Sequence, residues 1–168
     1  SLGGYRFICP DMIGGGEYRS FLDGAVLDEE LFVRYEQCSA LMPMMQFSAN
    51  PFRVLNSENA EFCRKAAWLH EDNGKYILNL IKKCIKNKMP VIAPVGYYDS
   101  AADISEKDSF MLSDELLVSP ITKKGIKERE IYLPQGDWVS WNGERYAGGN
   151  KIKIKVTIED LPFFKKIK

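Results

Sequence analysis

The sequence predicts a mixed α/β chain in which strand–loop–helix units come first and an antiparallel β-domain follows. Two observations carry that expectation. In the first half apolar residues recur at helical spacing, most clearly at Ile77, Leu80, Ile81, Cys84 and Ile85. Past Pro90 the pattern changes to short apolar or alternating runs cut by prolines and glycines. The clearest is Lys151-Ile152-Lys153-Ile154-Lys155-Val156, whose period of two sets the lysines on one face.

Taken in order, residues 5–9 read as a buried strand that runs into the glycine-rich loop Pro10-Asp11-Met12-Ile13-Gly14-Gly15-Gly16. Asp28 is an N-cap, with Glu29 and Glu30 in the first turn of a helix. Leu31, Phe32, Tyr35, Cys38, Ser39 and Met42 form its expected buried stripe, and Pro43 ends it. Residues 44–47 are a second short strand leading into Ser48-Ala49-Asn50-Pro51. Ser57 and Glu58 open a further helix with Phe62, Ala66 and Leu69 inside, and Gly74 is expected to interrupt it before the Ile77 helix. Lys82, Lys83, Lys86 and Lys88 suit the negative end of that helix and read as a solvated face. Strands are expected at residues 91–95, 110–112, 116–121, 130–133, 138–141 and 151–158. Asn142-Gly143 is expected as a type I′ turn closing a hairpin onto the segment around Tyr146.

Size and charge narrow the function. A chain of 168 residues buries about 70% of its unfolded surface, enough for one domain or one and a half. Lys+Arg and Asp+Glu balance at 23 each, so no global field attracts nucleic acid or an anionic membrane, and neither partner is expected. A neutral sugar needs no such steering. The four cysteines are widely spaced without a C-x-x-C pair, and read as buried small hydrophobes in a reducing compartment. With no sequon, signal peptide or apolar run near 20 residues, a cytoplasmic protein is expected. The opening Ser1-Leu2-Gly3-Gly4 reads as a cut inside a longer protein.

Asp11 is the most interesting carboxylate. It stands just past Pro10 at the C-terminal end of an expected strand, followed by glycines that let backbone approach a ligand closely. It could equally cap a turn. Gln46 and Ser48, after the apolar run at residues 42–45, could orient sugar hydroxyls or satisfy loop backbone. Trp138, Trp141 and Tyr146 could stack on a sugar, though a sheet core needs such residues too. Other patterns fail. Arg19 stands where a dinucleotide fingerprint needs its third glycine. His70 is the only histidine, so neither a Ser-His-Asp triad nor a metal centre is supported, and no cofactor is expected.

Taken together, the blocks resemble glycoside hydrolase family 31. The segment from Gly4 through Phe7 and Asp11 to Gly14-Gly15 is similar to the family's strand-seven motif, Gly-x-x-Phe-x-x-x-Asp-Ile-Gly-Gly. Asp28 to Gln37, then Ser39 to Pro43, resemble the following helix and the approach to strand eight. Pro90-Val91-Ile92-Ala93-Pro94 is similar to the Pro-x-x-Arg-Pro that opens the family's β-domain. Asp108-Ser109-Phe110-Met111-Leu112 with Leu116 to Pro120, Tyr132 to Trp138, and Leu161-Pro162-Phe163-Phe164 continue the series in family order.

The resemblance implies a C-terminal fragment of a retaining α-glycosidase. Residues 1–89 would be the last two βα units of a (β/α)8 barrel, and residues 90–168 an antiparallel β-sandwich domain. Retaining hydrolysis uses a nucleophile and an acid/base carboxyl about 5–5.5 Å apart. By the resemblance both lie upstream, so the chain alone is expected to be inactive, and Asp11, Gln46 and Ser48 are expected to line the −1 sugar pocket for an oligosaccharide or glycoside substrate. Where many α-glucosidases carry Arg-x-His, this sequence has Gln46-Phe47-Ser48, more like the branch with α-galactoside-cleaving members. Ala93 replaces the family arginine. The alternative is a carbohydrate-binding or scaffolding module built on the β-domain aromatics. An excised barrel end would also expose strand edges, so self-association is expected.

Overall fold

The computed structural model describes residues 8–15, 26–103 and 107–167. Most of the strand expected at residues 5–9, together with Gly16, lies outside them. The first helix, α1 (Glu29–Ala40), starts where expected: the Asp28 side chain accepts a hydrogen bond from the Leu31 N–H at 3.2 Å. A short α2 (Pro51–Val54) follows, capped by Asn50, and then α3 (Ser57–Lys86).

α3 opens at Ser57 as expected, and Asn56 before it is the cap, accepting from Asn59 N–H at 2.9 Å. Glu29 of α1 organises this cap, since its Oε2 accepts from Asn56 N, Asn56 Nδ2 and Asn59 Nδ2 at 3.1, 2.6 and 2.7 Å. Gly74 does not interrupt the helix, which runs 30 residues through it. Gly74 has open space around its Cβ position, so its propensity cost is about 1 kcal/mol, which the packing of Ala66, Ile77 and Leu80 on either side outweighs.

Among the described residues the β half has eight strands: β1 (Ile92–Pro94), β2 (Phe110–Leu112), β3 (Leu116–Val118), β4 (Glu128–Leu133), β5 (Asp137–Ser140), β6 (Arg145–Ala147), β7 (Asn150–Lys155) and β8 (Phe163–Lys166). A six-stranded antiparallel sheet has the order β1-β2-β3-β8-β5-β6, and β4 pairs with β7 as a separate two-stranded sheet. The mixed helix-plus-antiparallel-sheet class is as expected. β3 and β1 are shorter than expected, and a 3₁₀ turn takes over at Val95–Tyr97. The β5–β6 hairpin forms, but not through a type I′ turn, which needs positive φ at both central residues. Gly143 alone is left-handed, at φ 87°, and its N–H donates to Ser140 O at 3.0 Å.

Packing explains the patterns. One face of the large sheet, through Ile92, Leu112, Leu116 and Val118, lies against Ile77, Leu80 and Cys84 of α3. The other face, through Met111, Leu117, Trp138 and Phe164, shares a core with Ile131 and Leu133 of β4 and Ile154 of β7. β3 is covered on both faces, so Leu116-Leu117-Val118 is a continuous apolar run. β7 is covered on one face, so it alternates. Trp138 is fully buried and its Nε1–H donates to Pro134 O at 2.7 Å, which settles it as core.

α1 buries part of the expected stripe and more besides. Phe32 and Ser39 are buried as expected, but Leu31 is 66% exposed, and Val33, Arg34, Glu36 and Gln37 are buried as well. Arg34 Nη1 donates to Ile158 O and Asp160 O at 3.2 and 3.1 Å, and Nη2 to Thr157 O at 3.0 Å. Gln37 Nε2 adds a bond to Ile158 O at 2.8 Å. Helical spacing marks one stripe toward α3, but α1 also grips the loop after β7, and that contact takes polar side chains to satisfy carbonyls.

The cysteine expectation also needs correction. Cys63 and Cys84 are buried, Cys38 is half-buried and Cys9 is exposed, and all four are free thiols.

Candidate functional site

The site expected around Asp11 is set by backbone before side chains. Ile13 N–H donates to Gln46 O and Ser48 N–H donates to Ile13 O, both at 2.9 Å. These bonds make an isolated parallel bridge between Ile13 and Phe47. Residues 44–47 therefore meet their neighbour at a bridge and form no extended strand of their own. The bridge anchors through Ile13, which is fully buried with Phe32, Val33 and Cys63.

The two glycines that follow serve the turn. Gly14 has φ +72°, and a Cβ there would come 2.6 Å from the Phe32 ring of α1. A Cβ on Gly15 would lie 2.6 Å from Met12 O, whose carbonyl accepts the Gly15 N–H at 2.7 Å. Only glycine lets the chain leave the bridge so close to α1.

Asp11, Gln46 and Ser48 are all exposed on the two segments that the bridge joins. Asp11 Oδ1 accepts the Met12 N–H at 2.8 Å, the local turn bond weighed above, while its other oxygen has no hydrogen bond among the described residues. Gln46 is partly engaged: its Nε2 donates to Cys9 Sγ at 3.3 Å and to Pro10 O at 3.4 Å. That amide ties the end of one chain segment to the other. Ser48 holds its place by its backbone and leaves its hydroxyl open to solvent.

Two further residues belong to this neighbourhood and were not singled out. Cys9 is exposed two positions before Asp11, a spacing that sets both on one face of an extended segment. Tyr35 of α1 lies within electrostatic reach. Burial, then the negative charges of Asp11 and Cys38, raise its phenol above the usual value. The Cys9 signal was available from strand alternation; that of Tyr35 was not, because helix periodicity assigned it to the core. His70 takes no part: its Nδ1 lies 2.9 Å from Ala40 O, where it joins α3 to α1. Among the described residues no group of three or more His, Cys, Asp or Glu side chains could hold a metal ion.

With this geometry in place, likeness to known proteins becomes informative. Residues 88–167 match the model of the glycosyl hydrolase family 31 C-terminal domain. The chain is 32% identical to the myogenesis-regulating glycosidase of Mus musculus, over 96% of this chain and 23% of that protein. The chain belongs to glycoside hydrolase family 31. This family 31 chain is also 34% identical to the SITS-binding protein of Tetronarce californica, over 91% of its own length and 22% of the relative's. Among solved structures, the cycloalternan-degrading enzyme from Trueperella pyogenes in complex with isomaltose aligns with a TM-score of 0.77 at 25% identity. That alignment covers 88% of this chain and 24% of that one. The chain thus spans about a quarter of the length of the relatives it matches.

Proposed function

We propose that this family 31 chain is the closing part of a retaining α-glycosidase. Residues 1–89 supply the last two βα units of a (β/α)8 barrel, and residues 90–168 form the β-domain behind it. Asp11 and Ser48 line the −1 sugar pocket, with Gln46 between them, while the nucleophile and the acid/base carboxyl belong to the remaining three-quarters of the protein. Such a protein acts on an oligosaccharide or other glycoside.

The observation that supports this most is the Ile13–Phe47 parallel bridge. Neighbouring parallel strands that each end in a loop are the unit from which such barrels are built, and barrel enzymes carry their working groups on those loops. The bridge joins the two segments that carry Asp11 and Ser48, and each side chain has polar capacity left for a ligand. An ionised carboxylate is a strong acceptor for sugar hydroxyls. Gln46 is assigned chiefly to holding Cys9 and Pro10 in place.

The second reading, a carbohydrate-binding module on β-domain aromatics, has less support. Trp138 is wholly buried, and Trp141 spends its indole N–H on Asp160 at 3.2 Å.

The test is Asp11→Ala in the full-length protein. Hydrolysis of aryl α-glycosides should fall at least a hundredfold, a loss of the size expected for a group that binds the transition state. The melting temperature should stay unchanged, because Asp11 is exposed. Undiminished turnover would refute the pocket assignment.

A further inference from the structure

A second cavity lies away from the Asp11 end, in the seam where α1 meets the β4–β7 sheet. Its volume is about 510 Å³, within the range of small-molecule sites. Its walls come from three places: Glu30 and Arg34 of α1, the Ile126-Lys127 approach to β4, and the end of β7 from Lys155 to Ile158.

The wall chemistry is asymmetric. Ile126, Val156 and Ile158 give it an apolar lining. Three cationic side chains, Arg34, Lys127 and Lys155, face one carboxylate, that of Glu30. Glu30 is already committed, because its Oε1 accepts the Gly125 N–H at 3.0 Å. Arg34 is the built element. It is only 6% exposed, and Thr157, Ile158 and Asp160 carbonyls hold its two Nη groups in place. Its Nε has no hydrogen-bond partner among the described residues, and Glu30 pairs with it as an ion at 3.7 Å. Arg34 is therefore a fixed charge at the back of the seam, already balanced by Glu30. Lys127 and Lys155 are exposed at the rim, free to approach an anion without desolvation beforehand.

The geometry points to a binding site in this seam for a small organic acid, one carboxylate carried on a short apolar body. The carboxylate meets the Lys127 and Lys155 ammonium groups at the rim, and the apolar body lies on Ile126, Val156 and Ile158. The cavity shares none of its wall residues with the Asp11 end, so the inference stands apart from the glycosidase reading. A neutral sugar fits the seam less well, since no aromatic side chain contributes to its wall.

Titration of the chain with hexanoate by isothermal calorimetry tests this, with hexan-1-ol and sodium sulfate as separate titrants. Hexanoate should bind one-to-one with a Kd of about 1 mM or tighter. Both hexan-1-ol, which lacks the charge, and sulfate, which lacks the apolar body, should bind at least about tenfold more weakly. Lys127→Glu combined with Lys155→Glu, both at exposed positions, should weaken hexanoate about tenfold while the melting temperature holds. Amide NMR shifts should concentrate at Gly125, Ile126, Thr157 and Ile158. No saturation, equal binding of hexan-1-ol or of sulfate, a double variant that binds as well as the parent, or shifts centred elsewhere would each overturn the assignment.

Discussion

The core between the two sheets and the seam under α1 are equally buried but chemically opposite. Between the sheets, Met111, Leu117, Trp138, Ile131, Ile154 and Phe164 meet as apolar surfaces, and the only polar atom Trp138 brings in is matched by Pro134 O. Under α1, Arg34, Glu36 and Gln37 are buried within four residues of one another. The sheet core stabilises by area removed from water and by close packing. The seam holds only where donors meet acceptors, because a charge without a partner in the interior is expensive. Arg34 and Glu36 show both outcomes. The Arg34 Nη groups reach three carbonyls, whereas among the described residues its Nε and both Glu36 carboxylate oxygens have no hydrogen-bond partner.

Three changes test that contrast. The largest loss should come from Trp138→Ala, at about 4 kcal/mol, because the cavity has sheet on both sides and little freedom to collapse. Urea unfolding measures it, and a cost under about 1.5 kcal/mol would mean that this core packs loosely. Next, Arg34→Ala should cost about 3 kcal/mol, chiefly by stranding the Thr157, Ile158 and Asp160 carbonyls. Arg34→Lys should recover little, since an ammonium cannot reproduce the planar fork. Full recovery by lysine would show that charge rather than hydrogen-bond geometry holds the seam.

Glu36 gives the third test, through pH. Burial pushes its carboxyl up to about 7 from an ordinary 4.5, and the neighbouring Cys63 thiol offsets little of that. A carboxyl raised in the folded state is harmless while protonated in both states. The Glu36 contribution is therefore fully present below pH 4.5, is lost as pH rises toward 7, and levels off above. The wild-type chain should lose roughly 2–3 kcal/mol across that window, and Glu36→Gln should flatten the loss. Denaturation midpoints at several pH values give the answer; parallel curves for the two proteins would show that Glu36 finds a partner or water.

Much of this was readable from the residues alone. The alternation of Lys151 to Val156 gave β7 and its faces, and the Asp28 cap with acidic residues behind it gave the start of α1. Both are local signals. β8 was not legible, since Phe163-Phe164-Lys165-Lys166 lacks alternation and becomes a central strand only because β3 and β5 pair on its two sides. The buried surface of α1 was legible only in part, at Phe32 and Ser39, for a related reason. Periodicity reports that a helix has two sides, but the loop after β7, more than a hundred residues away, decides which polar side chains are covered. At the site, the glycine turn after Asp11 could be read from sequence, but the strand expected before it lies mostly outside the described residues, and the engagement of Gln46 with Cys9 and Pro10 depends on a bridge no local pattern encodes.

That bridge has a bearing on how such proteins diversify. The distance between the segments carrying Asp11 and Ser48 is fixed by two main-chain hydrogen bonds through Ile13, and no side chain in the site contributes to them. Residues 11 and 48 can therefore be exchanged one at a time with the frame unchanged, whereas exchanging Gln46 also removes its tie to Cys9 and Pro10. A lineage can then drift from one ligand to another by small viable steps, without a refolding penalty at each. The freedom has one fixed point: Gly14, pressed against Phe32, is where variation should stop.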